Sequence, residues 1–174
     1  MMRTFLVALL ALSWVNQGAY AQAKSRPATA ADFAGVFQLI DYPPEQQPKY
    51  FKENPWPAPC QFFGHYPDGY WLHQQQTALR KTQAQSGSCT NAIPSKKPAI
   101  PQTVSWKMLK DGFVLIDRAD YKVQEIWKVD HVNGPTHLDT INLNRGDLIL
   151  QLLDRSGKQL VWIRLLRRLG DARN

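Results

Sequence analysis

The mature chain predicts an all-β fold, a small antiparallel up-and-down barrel of about eight strands. From Phe33 onward, apolar and polar residues alternate in short segments, and glycine, asparagine and aspartate separate these segments. The roughly 150 residues that remain after a leader suit one domain with one core, residues 22–174. Because many short strands leave unpaired edges, closure into a barrel is the expected arrangement.

The first 21 residues predict a cleaved signal peptide, so the protein is expected to be periplasmic or secreted. Arg3 precedes an apolar run of about eleven residues, and a small-x-small cleavage pattern ends at Ala21. That run is too short to cross a hydrocarbon layer of roughly 30 Å, so no transmembrane segment is expected in the mature chain. The formal charge is +7, but the basic residues are scattered, and nucleic acid is not an expected partner.

Cys60 and Cys89 predict a disulfide, because an exported small domain with an even cysteine count favours one. Closing a loop of this length stabilises a fold by about 3 to 4 kcal/mol, although two free thiols remain the alternative. The bond would tie a polar excursion, residues 77–102, to the barrel, and residues 43–59 form a second, proline-rich excursion. The cysteine spacing fits neither redox nor zinc motifs, so no metal or cofactor is expected.

The strands follow from the alternation and from the turn that ends each segment. Residues 28–33 predict one helical turn before a first strand at residues 34–42. Residues 60–75 predict a hairpin around Pro67-Asp68-Gly69, with proline presetting φ and glycine accepting positive φ. That turn pairs His65 with Trp71, and Phe63 with His73. Further strands are expected near residues 104–108, 114–116, 121–129, 137–143, 148–153 and 159–166, the last of which also fits a strand running into a short C-terminal helix.

The first strand begins Gly35-Val36-Phe37, which is similar to the Gly-x-Trp that opens lipocalins, with phenylalanine replacing tryptophan. In strand order and in this motif, the chain resembles a small lipocalin-type (calycin) barrel. In that family a late-strand arginine packs across the first-strand tryptophan. The resemblance therefore implies that Arg164, Arg167 or Arg168 packs on Phe37, and that an apolar ligand lies inside the barrel.

The leading functional prediction is non-enzymatic binding of an apolar or amphiphilic small molecule inside the barrel. The residues expected to line the cavity are Phe37, Trp106, Glu125 and Trp127. Glu125 lies between Val123 and Trp127 on an apolar strand face, where a lone carboxylate is costly to bury unless it is paired. Such a group is suited to a ligand's polar head or to acid–base chemistry. Partial exposure, or pairing with a lysine or arginine, is the alternative.

The second prediction is a module that docks onto another envelope protein, as an inhibitor, immunity factor or assembly subunit would. Its surface would combine the proline-rich segment with the mixed face of the hairpin, which carries Phe63, His65, Trp71 and His73. An enzyme is the third expectation. The chain has no G-x-S-x-G motif and no glycine-rich phosphate loop, so no catalytic residue is predicted.

Overall fold

The computed structural model describes residues 24–40, 61–75, 91–138, 141–154, 156 and 160–174. Over these ranges the chain forms an antiparallel, nearly closed eight-stranded barrel, which confirms the predicted fold class. The predicted signal peptide, the Cys60–Cys89 pair, residues 43–59 and residues 77–90 lie outside the described residues. None of the helices in the described ranges is long and apolar enough to cross a membrane.

The elements are β1 Ser25–Pro27, α1 Ala30–Phe33, β2 Gly35–Leu39, β3 Gln61–His65, β4 Trp71–Gln75, β5 Val104–Met108, β6 Phe113–Arg118, β7 Val123–Val132, β8 Thr136–Leu138, β9 Ile141–Leu143, β10 Leu148–Leu153 and β11 Leu160–Gly170. The barrel strands follow the order β4-β3-β2-β11-β10-β7-β6-β5, with β1 paired to β7 and β8 paired to β9 in a separate ribbon. A short 3-10 turn, Lys110–Gly112, joins β5 to β6.

The β3–β4 hairpin has the predicted register, with His65 opposite Trp71 and Phe63 opposite His73. Its turn also closes the barrel, because the Trp106 amide donates to the Gly69 carbonyl at 2.8 Å. Gly69 has φ +89, and an added Cβ would lie 2.8 Å from the Trp106 carbonyl oxygen. Glycine is therefore required here both by the left-handed conformation and by the close approach of β5. Within the described chain, one bridge, Tyr70 to Ser105, joins the β4 and β5 edges.

The short helix α1 confirms the helical turn predicted before the first strand, and it lies at one end of the barrel. Its first turn is held by a capping box between Thr29 and Asp32, each side chain bonding the other's backbone amide. Arg26 reinforces the same carboxylate from β1, at 2.7 Å. The helix ends with Phe33, which is fully buried in the core, with its ring centroid 5.0 Å from that of Trp106.

Large side chains fill most of the barrel interior. Phe37, Trp106 and Trp127 have exposures of 0, 7 and 1% and pack in one cluster with Val114 and Leu150. Cluster members that share a strand, such as Val114 and Ile116, are two positions apart, which is the periodicity that puts them on one face of a pleated sheet. The barrel is thus a packed core over most of its length and not an empty tube.

Arg168 links the first and last barrel strands to α1. Its guanidinium carbon lies 5.5 Å from the Phe37 ring centroid. The same group donates to the carbonyl oxygens of Asp32 and Ala34, both at 3.0 Å. A Cβ at Gly35 would approach the Phe37 ring to 2.8 Å and the guanidinium to 3.0 Å, which explains why glycine opens this strand. Among the three candidate arginines, Arg168 is therefore the one that packs on Phe37.

Strand β11 continues to Gly170 without a helix, so the helical alternative for this segment is wrong. Leu165 and Leu166 pair with Ile149 and Leu148 of β10. On its other edge, Leu166 and the residues that follow it pair with β2. Two ladders supply partners for the backbone of this segment, and this long-range pairing overrides a spacing of apolar residues that also fits a helix.

The predicted strand at residues 137–143 is instead the two-stranded ribbon β8–β9. Its Ile141 and Leu143 pack on the outer face of the barrel, against Ile149 and Leu165. A second outer cluster covers the hairpin, where Ile93 packs with Phe62, Val36, Tyr66, Tyr70 and Ala172. Two outward-facing parts of the sheet are therefore buried, which is why apolar residues occur on both faces of these strands.

We expect Arg168→Met to lower the free energy of unfolding by about 2 to 4 kcal/mol, because two carbonyl groups near α1 lose a charged donor while the apolar contact is retained. Urea unfolding followed by tryptophan fluorescence measures the loss. Arg173→Met removes an exposed arginine nearby and is expected to change stability by no more than about 0.5 kcal/mol. Equal effects of the two substitutions would show that the Arg168 contacts do not stabilise the barrel.

Candidate functional site

A pocket opens at the barrel end opposite α1, beside the edges of β4 and β5. Its cavity measures ≈ 60 Å³, and the empty space reaches ≈ 390 Å³ only when the open solvent at its mouth is included. Six strands contribute to it, since side chains that alternate inward from β3, β4, β5, β6, β7 and β11 converge there. The lining residues are Phe63, Trp71, His73, Val104, Arg118, Glu125 and Arg164.

One wall of the pocket is aromatic. The Phe63 and His73 rings are stacked with centroids 4.6 Å apart and planes 4° apart, and the Trp71 centroid is 6.2 Å from that of Phe63. Trp71 is 8% exposed, and its buried indole nitrogen has no hydrogen-bond partner among the described residues. His73 keeps an exposed edge, and desolvation lowers its pKa, with Arg164 and Arg118 adding to this effect. This wall is therefore neutral and suited to an apolar or planar group.

Arg164 lies under the pocket, between two rings. Its guanidinium carbon is 5.1 Å from the Phe63 centroid and 4.9 Å from the Trp127 centroid. The pKa of Arg164 is lowered to about 10, chiefly by desolvation, while Glu125 raises it and Arg118 makes a smaller lowering contribution. The group is therefore charged at neutral pH, and the two aromatic faces hold it in place through cation–π contacts.

Glu125 and Arg118 complete the charged side of the pocket. Glu125 accepts a hydrogen bond from the Trp127 indole nitrogen at 2.8 Å, which orients its carboxylate along the strand face. The Arg118 guanidinium carbon lies 4.6 Å from the Tyr121 ring centroid, and its buried Nε has no hydrogen-bond partner within the described ranges. Both the expected partial exposure of Glu125 and its electrostatic coupling to an arginine are present.

His65 lies deeper, between the pocket and α1, and is fully buried. Its Nδ1 is 3.0 Å from the Phe33 carbonyl oxygen, which only accepts, so Nδ1 carries the proton of the neutral ring. The ring stacks on Phe33 with a centroid distance of 4.1 Å and meets Trp71 edge to face. Desolvation lowers the pKa of His65 to about 3. The residue is neutral at physiological pH and acts as a core side chain that joins α1 to the hairpin.

The structure brings together residues from both predicted sets. Of the four cavity candidates, Glu125 lines the pocket, whereas Phe37, Trp106 and Trp127 fill the core beside it.

Of the four docking candidates, Phe63, Trp71 and His73 line the same pocket and His65 is in the core. Only His73 of these four is exposed at the surface. The mixed face of the hairpin thus points into the barrel.

The sequence prediction missed Arg118, and it considered Arg164 only as a packing partner for Phe37. The alternation of inward and outward side chains along each strand could have identified both arginines. Arg118 shares a strand face with Val114 and Ile116, and Arg164 shares one with Leu166, all of which point inward. An arginine at an inward position near the end of a barrel strand indicates a polar site, because burial of an unpaired charge is costly.

The fold and site together define a β-barrel protein with a mixed aromatic and charged pocket at its open end. In the described part of the chain, no group of three or more histidine, cysteine, aspartate or glutamate residues is arranged to hold a metal ion. The pocket residues are suited to holding a molecule through ring contacts and charged hydrogen bonds. Comparisons with protein-family models, curated proteins and solved structures find no match for this chain.

The buried neutral His65 predicts a pH-dependent stability. The unfolded chain takes up a proton below about pH 6.5 and the folded chain does not until about pH 3, so stability falls as the pH drops through this window. The contribution of one such group reaches about 1.4 kcal/mol per pH unit. We expect His65→Phe to flatten the fall in unfolding free energy between these limits, measured by urea unfolding at several pH values.

The matched control is His137→Phe, because His137 is exposed on the separate ribbon. This variant is expected to keep the wild-type pH dependence. A steep fall that persists unchanged in His65→Phe would mean that protonation of His65 does not destabilise the barrel.

Proposed function

We propose that this protein is an exported, non-enzymatic binding protein that holds an amphiphilic small molecule in the pocket at the open end of its barrel. The observation that carries this proposal is the pairing of an aromatic wall, Phe63, Trp71 and His73, with a charged side, Arg118, Glu125 and Arg164, around one open space. An apolar body gains from leaving water beside the rings, and a polar group gains charged hydrogen-bond partners.

The pocket also sets how the ligand is held. Phe37, Trp106 and Trp127 fill the barrel beneath it, so a ligand occupies the open end and does not run the length of the barrel. We expect the polar group to enter first and to meet the charged side chains, while the apolar part remains between the aromatic wall and the mouth. An amphiphilic ligand therefore fits better than a wholly apolar one.

We further propose that the barrel is of the lipocalin-like (calycin) kind. Support comes from the Gly35-Val36-Phe37 strand start, from Arg168 packed on Phe37, and from a short helix covering the end of the barrel next to that contact. Export, and with it a periplasmic or extracellular location, is proposed from the N-terminal sequence. The Cys60–Cys89 disulfide likewise remains a prediction from the sequence.

Docking onto an envelope protein has less support. Three of its four proposed contact residues, Phe63, His65 and Trp71, have 8% exposure or less, so they present little surface to a protein partner. The proline-rich segment that would complete the surface lies outside the described residues. Small-molecule binding is therefore the function that the geometry favours.

An uncharged amphiphilic dye, N-phenyl-1-naphthylamine, tests the pocket, because its fluorescence rises when it leaves water. We expect saturable binding to the wild-type protein. Val104→Phe places a larger side chain in the pocket wall and is expected to weaken dye binding about tenfold or more, since overpacked sites reject volume at a cost of about 1 to 3 kcal/mol.

The matched control is Leu115→Phe, which places the same ring on the outer face of β6, where the side chain is partly exposed. It is expected to bind the dye like the wild type. Dye binding that is equally strong in Val104→Phe, or no saturable binding to the wild type, would contradict the proposed pocket.

A further inference from the structure

We propose that the polar group of the ligand is an anion, such as a carboxylate or sulfonate, held between Arg118 and Arg164. This inference rests on the proposed function and narrows its ligand class to organic acids with an apolar, preferably aromatic, body. The sequence alone assigned Glu125 to a ligand's polar head or to acid–base chemistry and did not predict the charge of the ligand.

The charges around the pocket favour an anion. Among the described lining residues there are two guanidinium groups, Arg118 and Arg164, and one carboxylate, Glu125. The histidine in the wall, His73, adds no charge at neutral pH, because desolvation and the two arginines keep it in its neutral form. The described lining residues therefore have a net formal charge of +1 at neutral pH.

The single carboxylate, Glu125, already interacts with other groups of the protein. One Glu125 oxygen accepts the Trp127 indole hydrogen, and the same carboxylate is coupled to Arg164. Apart from desolvation, Glu125 raises the pKa of Arg164 and Arg118 lowers it to a smaller extent, so the two arginines repel each other even though the carboxylate lies nearby. An anion bound between them would relieve that repulsion, whereas a bound cation would add to it.

The geometry supplies donors as well as charge. The buried Nε of Arg118 has no acceptor among the described residues, so a ligand oxygen would satisfy a donor that now lacks a partner. Arg164 is held between the Phe63 and Trp127 rings, which fixes its position before a ligand arrives. A preorganised donor of this kind loses little conformational freedom on binding. The neighbouring Phe63–His73 stack offers a flat surface for the ligand body.

Three naphthalene derivatives that share one apolar body separate the effect of charge from that of shape. Naphthalene-2-carboxylate is an anion, 2-naphthylmethanol is neutral, and 2-naphthylmethylamine is a cation at neutral pH. Isothermal titration calorimetry of each against the full chain gives three dissociation constants. We expect the carboxylate to bind about ten- to a hundredfold tighter than the other two, which is the range for one or two charge-assisted hydrogen bonds.

Two substitutions then assign the effect to the pocket. Arg118→Gln is expected to weaken carboxylate binding much more than alcohol binding and so to remove most of the preference for the carboxylate. Glu125→Gln keeps an acceptor for Trp127 and removes the negative charge, so it is expected to strengthen carboxylate binding. Lys107→Gln removes one positive charge from an exposed position of β5 and is expected to change none of the three affinities.

The outcomes separate this inference from the proposed function. Equal affinity for the three compounds, tightest binding of the amine, or an Arg118→Gln variant that keeps the wild-type preference for the carboxylate would overturn the anion inference and leave a binding pocket. Absence of binding by all three compounds would overturn the proposed function and the inference together. If Arg118→Gln fails to fold, Glu125→Gln still tests the anion inference, because unchanged or weaker carboxylate binding by this variant would overturn it.

Discussion

The contact of Arg168 with Phe37 is the interaction on which the barrel most depends. One guanidinium lies over the first-strand ring and satisfies two carbonyl groups at the start of that strand, so it joins β11, β2 and α1 at a single point. Gly35 leaves the room that both side chains need. Without this contact, the helix that carries Phe33 has fewer reasons to stay at the barrel end, and the core beneath it would admit water.

The position of the pocket follows from this closed end. Phe33 and His65 occupy the space next to α1, and the large rings above them fill the middle of the barrel. Empty space remains beside β4 and β5, which the Tyr70–Ser105 bridge joins within the described residues. Charged side chains are tolerated there because rings and hydrogen bonds hold them, and a partly desolvated charge acts on a ligand more strongly than a fully hydrated one.

Much of the fold was predictable, because alternation and turn chemistry are local properties. The hairpin register followed from Pro67-Asp68-Gly69, and strand β10 was predicted at its observed residues. Which face of each strand points into the barrel depends on long-range packing and could not be predicted from local sequence. Both faces of the hairpin carry aromatic residues, and only the packing of Ile93 and Ala172 on the outer one shows that His65 and Trp71 belong inside. The pocket likewise depends on side chains from six strands, so spacing alone could not show that Arg118 and Glu125 line the same pocket.

The pairing of β2 with β11 has a consequence for how the molecule acquires its shape. Arg168 and the Asp32 carbonyl that it contacts are 136 positions apart in the chain. The opening strand therefore has no complete set of neighbours until nearly the whole polypeptide is available for folding. A chain arrested partway would present Phe37 and the β2 backbone edge to other molecules, and such an unpaired edge promotes aggregation. Late pairing of β2 with β11, after the rest of the sheet has formed, suits this connectivity.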